Sequence, residues 1–434
     1  MWKSRNHPRG RWGSRRLEAV ALVALLCACQ AAPDAAIEHQ PIASTAVPTA
    51  AAATVAVPAK PKPITEFPVL PLEEAVLSAA NEVFSKATLT LPDATGEHRR
   101  ALAIDPLIDA ATSAQLVATH TMQDLIVRLV SVRYPQLEVR PFTQGTLAQL
   151  PLLLIGTLTA IDGEGMPATT RDSYRVWLTL IDMRAGKIIA KARARARSDT
   201  VDAAPTPNFR DSPAWSDDPT GKAYVETCHQ GKVGESPPAA FVNQLPTETL
   251  ITNAVDAYDN GRYQEALVAY REARDLPGGA QLRVYNGIYL SNLRLGRESA
   301  AEQAFGDVVD YGLQRGHLAV KLLFKPGSTA FWPDPTVSGS YPMWLRQIAQ
   351  RTAEEASCLE IRGHTSRTGP EPLNERLALL RAEQIKRRLE FEQPTLTNRT
   401  IASGVGSREN LVGTGTDDAV DALDRRVEFV ALGC

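Results

Sequence analysis

The tightest constraint on the fold lies near the end of the chain. Leu359-Glu360-Ile361-Arg362-Gly363-His364 alternates as a strand does, and Thr365-Ser366-Arg367-Thr368-Gly369 breaks it with a turn that ends on glycine. A helical period takes over from about residue 371 to about 390, presenting Leu373, Leu377, Leu380 and Leu389. Upstream, Leu318, Val320, Leu322 and Phe324 alternate as another strand, and Leu345 and Ile348 mark the inner side of a helix over about 341–352. Thr400 to Gly404 and Arg426 to Leu432 read as two final strands. This order predicts a βαβαββ sandwich over residues 316–434.

Within that frame the residues Gly363-His364-Thr365-Ser366, Gly369, Asn374, Arg381-Ala382 and Asp424-Arg425-Arg426-Val427 occur in the order of the OmpA-like peptidoglycan-binding family, which this segment resembles. The resemblance implies a binding site for the peptidoglycan stem peptide formed by Ser366, Thr368, Asn374, Arg381 and Arg425. In the family the arginine at the place of Arg381 grips a carboxylate of diaminopimelate, for which a planar guanidinium offers two parallel donors. Asn374, seven residues earlier and so on the same helix face, orients the ligand together with main-chain donors near Thr368. The family places an aspartate, which holds the ammonium end, where this chain has Ser366. A charge-assisted hydrogen bond contributes ~1.5–3 kcal/mol, so affinity for unmodified diaminopimelate is expected to fall roughly ten- to a hundredfold. Three outcomes stay open: weak wall binding, a more anionic ligand, or a fold kept for protein contact. Arg367 adds a cation beside the turn, and Glu371 or Glu375 could replace the missing carboxylate. His364 reads as a hydrogen-bonded structural residue, and Arg425 and Arg426 could brace the sheet as readily as touch ligand. The same topology implies that the strands beginning at Cys358 and ending before Cys434 lie side by side, which implies a Cys358–Cys434 disulfide and leaves Cys228 over.

The other end of the chain reads as an export signal over residues 1–28, with six basic residues before an apolar run from Ala19 to Leu26. That run is short of the ~20 residues needed to span a bilayer. Leu26-Cys27-Ala28-Cys29 resembles a bacterial lipobox, which implies lipidation at Cys29. Gln30 rather than aspartate follows, which favours the periplasmic face of the outer membrane. An ordinary secretory signal is the plainer alternative. Losing six basic residues and Glu18 would take the formal charge from -2 to -7, which offers nucleic acid no electrostatic footprint. Residues 29–71 are rich in Ala and Pro and form a semi-extended tether, with an upper reach on the order of 120 Å at ~3.1 Å per residue.

Between these ends lie three segments. Residues 72–198 combine two helical stretches with apolar strands at Ala101 to Ile108, Leu137 to Phe142, Leu152 to Ile161, Tyr174 to Ile181 and Lys187 to Ala196. Leu153 to Leu158, Tyr174 to Asp182 and Ala185 to Ile189 resemble the α/β domain of LpoB, FlgO and CsgG-type lipoproteins, which implies partner docking without catalysis. Lys191, Arg193, Arg195 and Arg197 alternate with alanines and share one strand face, either solvated or a docking surface for an acidic partner. Residues 199–246 are rich in Pro, Asp and Ser and read as a linker with one ordered piece around Tyr224 to Cys228. Residues 247–315 resemble tetratricopeptide repeats: Gly261, Ala266 and Tyr270 recur 35 residues later as Gly296, Ala301 and Phe305. Two such units are fewer than usually stand alone, so they are expected to lean on a neighbour, either binding a peptide or acting as a spacer.

The seven histidines show no metal-ligand spacing, and no nucleophile elbow, phosphate loop or paired-carboxylate motif occurs. The expectation is therefore an α/β multidomain protein that is not an enzyme and needs neither cofactor nor metal. It would be a lipid-anchored outer-membrane protein that tethers to peptidoglycan and docks a periplasmic protein partner. The alternative is a periplasmic scaffold of an envelope complex, such as a peptidoglycan synthase, whose OmpA-like domain has lost wall binding.

Overall fold

The computed structural model describes residues 68–88, 99–168, 171–355, 357–413, 415 and 420–434. The export signal, Cys29 and the tether up to residue 67 lie outside the described residues. Everything described falls in one unit spanning Lys62–Cys434, a mixture of helices and two sheets.

The long apolar runs of the first half build the first sheet. Its strands are β1 (Val69–Leu70), β2 (Arg100–Ile104), β3 (Ile108–Asp109), β4 (Leu137–Arg140), β5 (Leu152–Ile161), β6 (Ser173–Asp182) and β7 (Lys187–Arg197). They lie in the order β1-β7-β6-β5-β2-β4, with β3 beside β5. β2 runs parallel to β4 and β5, whereas β5, β6 and β7 are mutually antiparallel. β5 is buried along nearly its whole length because both of its faces are covered, which is why it reads as continuous apolar sequence. Helices α1 (Leu72–Thr88) and α2 (Val117–Arg133) cover one face, where the alanines of β7 pack with Val83 and Phe84.

The cationic side of β7 is partly covered as well. Lys191 Nζ donates to the carbonyls of His229 at 3.0 Å and Gly231 at 2.6 Å, and the Arg193 guanidinium lies 5.6 Å from the Trp177 ring centroid. Lys191 thus works in packing, while Arg197 remains half exposed beside Asp199.

Residues 199–246 differ from the expected linker. They hold helices at Pro207–Asp211, Pro219–Gln230 (α3) and Ala239–Val242, and a two-residue strand, β8 (Ala214–Trp215). Two of the prolines that suggested extended chain, Pro207 and Pro219, stand at the first turns of helices, where a missing N–H costs nothing, and Asp218 caps α3 through Thr220 N. Ala214, Tyr224, Cys228 and Phe241 are buried and supply the apolar anchors.

Helices α4 (Leu245–Asp259), α5 (Tyr263–Arg274), α6 (Leu282–Arg294) and α7 (Glu298–Gln314) form two hairpins, turning at Gly261 and Gly296 with φ of +75° and +70°. Their core is continuous with that of the second sheet: Tyr270, Tyr289 and Phe305 belong to one cluster with Trp344, Ile361 and Phe429. Trp344 stacks on Phe305 at 5.4 Å and donates to Tyr289 Oη at 2.8 Å. The two hairpins therefore complete their apolar burial against the segment that follows them.

That segment contains β9 (His317–Lys321), α8 (Tyr341–Glu354), β10 (Cys358–His364), α9 (Glu371–Glu392), β11 (Thr400–Gly406) and β12 (Arg426–Leu432), a βαβαββ order. The sheet order is β11-β10-β12-β9-β8. β10 pairs in parallel with β11 and antiparallel with β12, which places Cys358 opposite Leu432. Cys358 and Cys434 are joined by a disulfide with a Cα–Cα distance of 5.0 Å, and Cys228 is buried and unbridged. β8, from the preceding stretch, extends this sheet by pairing with β9.

Candidate functional site

Two glycines set the position of the helix that carries Asn374 and Arg381. A Cβ at Gly363 of β10 would collide with the Ala378 carbonyl, and one at Gly404 of β11 would collide with the backbone of Glu375. Bare backbone at these points lets α9 lie directly on the two strands. Its N-terminal half then faces the turn that leaves β10. Gly369 closes that turn at φ +91°, and Asn374 Nδ2 reaches back to the carbonyls of Ser366 and Gly369, both at 3.4 Å.

Ser366, Thr368, Asn374, Arg381 and Arg425 all line one cavity of about 720 Å³. Ser366, Asn374 and Arg381 are buried, at 7%, 7% and 6% exposure. Arg381 Nε donates to the Ser328 carbonyl at 3.1 Å and Nη2 to the Lys325 carbonyl at 3.2 Å, with the guanidinium 4.8 Å from the Phe324 ring centroid. These contacts fix its plane at the cavity wall. Thr368 Oγ1 donates to the Gly415 carbonyl at 3.3 Å. Asp424, fully buried, accepts from the amides of Leu411, Val412 and Gly413 at 2.7, 2.9 and 2.6 Å, pinning the loop next to Arg425.

The two glutamates considered as substitutes for the absent aspartate are engaged elsewhere. Glu371 accepts from the amide and hydroxyl of Ser407, and Glu375 pairs with Arg408 at 3.1 Å. Neither lines the cavity. His364 is buried, with Nε2 3.2 Å from Glu428, and burial pushes its pKa down despite that carboxylate. Glu428 is also gripped by Arg426 at 2.6 and 2.7 Å, approached by His317 at 3.3 Å and by Arg362 at 3.5 Å. His364, Glu409 and Glu428 offer ligand atoms within 4.8 Å of one another, but Arg362 already bonds Glu409 at 2.9 Å. Arg362 thus bridges Glu409 and Glu428, and with Arg426 on Glu428 the cluster braces the sheet.

Part of the cavity wall comes from outside the C-terminal segment. Arg210, Asp211, Ser212 and Pro213 contribute from the stretch before β8, and Tyr289, Leu290, Leu293 and Arg294 contribute from α6. Asp211 accepts from Arg294 at 2.5 Å, Arg210 at 3.1 Å and the Tyr258 hydroxyl at 3.0 Å. Burial opposes its charge, but those bonds outweigh burial and hold the carboxyl below its usual range. Lys321 of β9 donates to the carbonyls of Phe209 at 3.3 Å and Arg210 at 2.8 Å, clamping the segment in place. No motif in the sequence marks these residues; only the clustering of Arg210-Asp211 after a helix-starting proline distinguishes them.

No protein-family model matches the chain, and no curated protein matches it. Solved structures similar to it over about a quarter of its length include three envelope proteins. The peptidoglycan-associated lipoprotein from Burkholderia pseudomallei is 25% identical, covering 26% of this chain and 88% of that one, with a TM-score of 0.22. The cell wall anchor of the T6SS from Pseudomonas aeruginosa is 21% identical, covering 27% and 81%, with a TM-score of 0.23. The periplasmic domain of Helicobacter pylori MotB is 18% identical, covering 27% and 75%, with a TM-score of 0.23. Among the described residues no helix is long and apolar enough to cross a membrane.

Proposed function

We propose that this chain is a lipid-anchored envelope protein that binds the peptidoglycan stem peptide in the cavity beside α9 and performs no catalysis. The observation that carries this reading is the convergence of Ser366, Thr368, Asn374, Arg381 and Arg425 on one cavity of about 720 Å³. Arg381 is oriented by two carbonyls and an aromatic face, so a ligand carboxylate meets a guanidinium whose ordering has already been achieved. The OmpA-like resemblance of residues 316–434 supplies the ligand class. The layer formed by residues 72–198 docks a periplasmic protein, and Cys29 carries the lipid that holds the chain at the outer membrane. Replacing Cys29 by Ala should release the protein from the membrane fraction.

The test is co-sedimentation of the full chain with purified sacculi. Binding is expected, weakened at least about tenfold by Arg381→Ala and less by Arg381→Lys, which keeps the charge but loses the fork. Absence of sedimentation at low salt would remove the wall-binding reading. One observation favours the scaffold alternative: Ser366 carries no charge at the place where the family has an aspartate. That alternative expects a cross-linked protein partner whose recovery is indifferent to Arg381→Ala.

A further inference from the structure

The cavity's lining is lopsided in charge. Asp211 is the one carboxylate among the described lining residues, while Arg210, Arg294 and Lys321 stand around it. Three cations to one anion leave this wall positive, and none of the three is satisfied by that carboxylate alone. Lys321 uses two of its three donors on backbone carbonyls, and the Arg210 and Arg294 side chains remain about half exposed, at 51% and 45%.

An aromatic row joins this wall to Arg381. It starts at Phe324 under the Arg381 guanidinium and passes to Phe331 at 5.2 Å, Tyr341 at 5.1 Å and Trp344 at 5.0 Å. It ends at Tyr289, 6.3 Å on, in the helix that bears Arg294. Ser366, by contrast, places an uncharged hydroxyl where a ligand ammonium would need an anion. Arg381 and these three cations line one cavity together with Phe324, Tyr341, Trp344 and Tyr289, a lining complementary to a molecule with two acids joined by hydrocarbon.

We propose that Arg210, Arg294 and Lys321 form a subsite for a second acidic group, so that the cavity selects a ligand bearing two acids across an apolar span. This deepens the proposed function and rests on its assignment of Arg381 to the first carboxylate. Asp211 sets the subsite's strength: it orders the two guanidiniums and, by its own charge, keeps affinity for the second acid moderate.

The probes are pimelate, a seven-carbon diacid, and heptanoate, the monoacid of the same length, titrated against the full chain and followed by tryptophan fluorescence, since Trp332 and Trp344 line the cavity. Pimelate is expected to bind about tenfold or more tighter than heptanoate, the factor for one added charge-assisted hydrogen bond. Arg210→Gln, at a half-exposed side chain, should shrink that preference, and Asp211→Asn should enlarge it. A gain from deleting a carboxylate is not something loss of folding can produce. Equal affinity for the two acids, or a preference that neither variant moves, would overturn the proposal. Arg381→Ala separates the two readings. If it abolishes heptanoate binding but pimelate is no better than heptanoate in the parent chain, only the second subsite fails. If heptanoate binding survives it while the pimelate preference follows Arg210 and Asp211, the subsite stands and the role of Arg381 fails.

Discussion

Restoring a carboxylate at position 366 tests how the site divides its work. Ser366 is 7% exposed and shares the cavity with Arg381 and Arg425, and its carbonyl is fixed by Asn374 at 3.4 Å. Ser366→Asp would therefore place a charged group into a buried position on a cavity that also holds the guanidiniums of Arg381 and Arg425, whose charge offsets part of its desolvation. A ligand ammonium would gain one charge-assisted hydrogen bond, ~1.5–3 kcal/mol, or about ten- to a hundredfold in affinity. The assay is calorimetric titration of the full chain with a soluble stem peptide whose diaminopimelate amine is free, set beside the same peptide with that amine acetylated. The gain should appear with the free amine alone. An equal change for both peptides, or none for either, would refute the idea that Ser366 leaves the ammonium end unserved.

Three further outcomes follow from the surrounding structure. Reducing the Cys358–Cys434 disulfide, which links residues 76 apart in sequence, should lower the stability of the C-terminal segment by about 4.5 kcal/mol in the chain-entropy model, read as a drop in the denaturant midpoint. Glu428→Gln should cost roughly 3–5 kcal/mol because Arg426, itself buried, loses its carboxylate. Burial works against the Glu428 charge, yet His317, His364 and Arg426 hold its carboxyl far below the ordinary 4.5, so its contribution is complete above that pH and drains as pH falls below it, which acid titration of Tm in parent and variant would show. Burial, aided by Lys191 and Arg175, pushes His229 down to about 4 from 6.5, so the unfolded chain takes up that proton first and stability declines as pH falls from 6.5 to 4. His229→Asn should remove that decline from a Tm–pH profile.

The parts legible in the sequence are those where one periodicity runs long enough to be unambiguous. β5 is read to the residue from a run of apolar residues broken only by Thr157 and Thr159, and β6 and β7 to within a residue from alternation around Gly186. The βαβαββ order of residues 316–434 was readable because strand alternation and helical period succeed each other there with clear turns between them. Residues 199–246 were not, because proline at a helix start and proline in extended chain look alike until a cap such as Asp218 is seen to engage. β8 is two residues long, too short for any period, and it exists only because β9 offers an open edge. The residues of the first wall were implied by the OmpA-like resemblance of residues 316–434, and Ser366, Asn374 and Arg381 lie within 16 residues of one another. Its second wall joins Asp211 to Arg294 across 83 residues, a juxtaposition set by the shared core rather than by any local pattern.

The central claim is that the ligand sits between the β10 turn and the start of α9, and hydrogen exchange of the full chain with and without soluble stem peptide measures this directly. Added peptide should slow exchange at the amides of residues 365–369 and 374–381, and Arg381→Ala should abolish that protection. Protection confined to other segments, or none at a peptide concentration that saturates binding to sacculi, would contradict it.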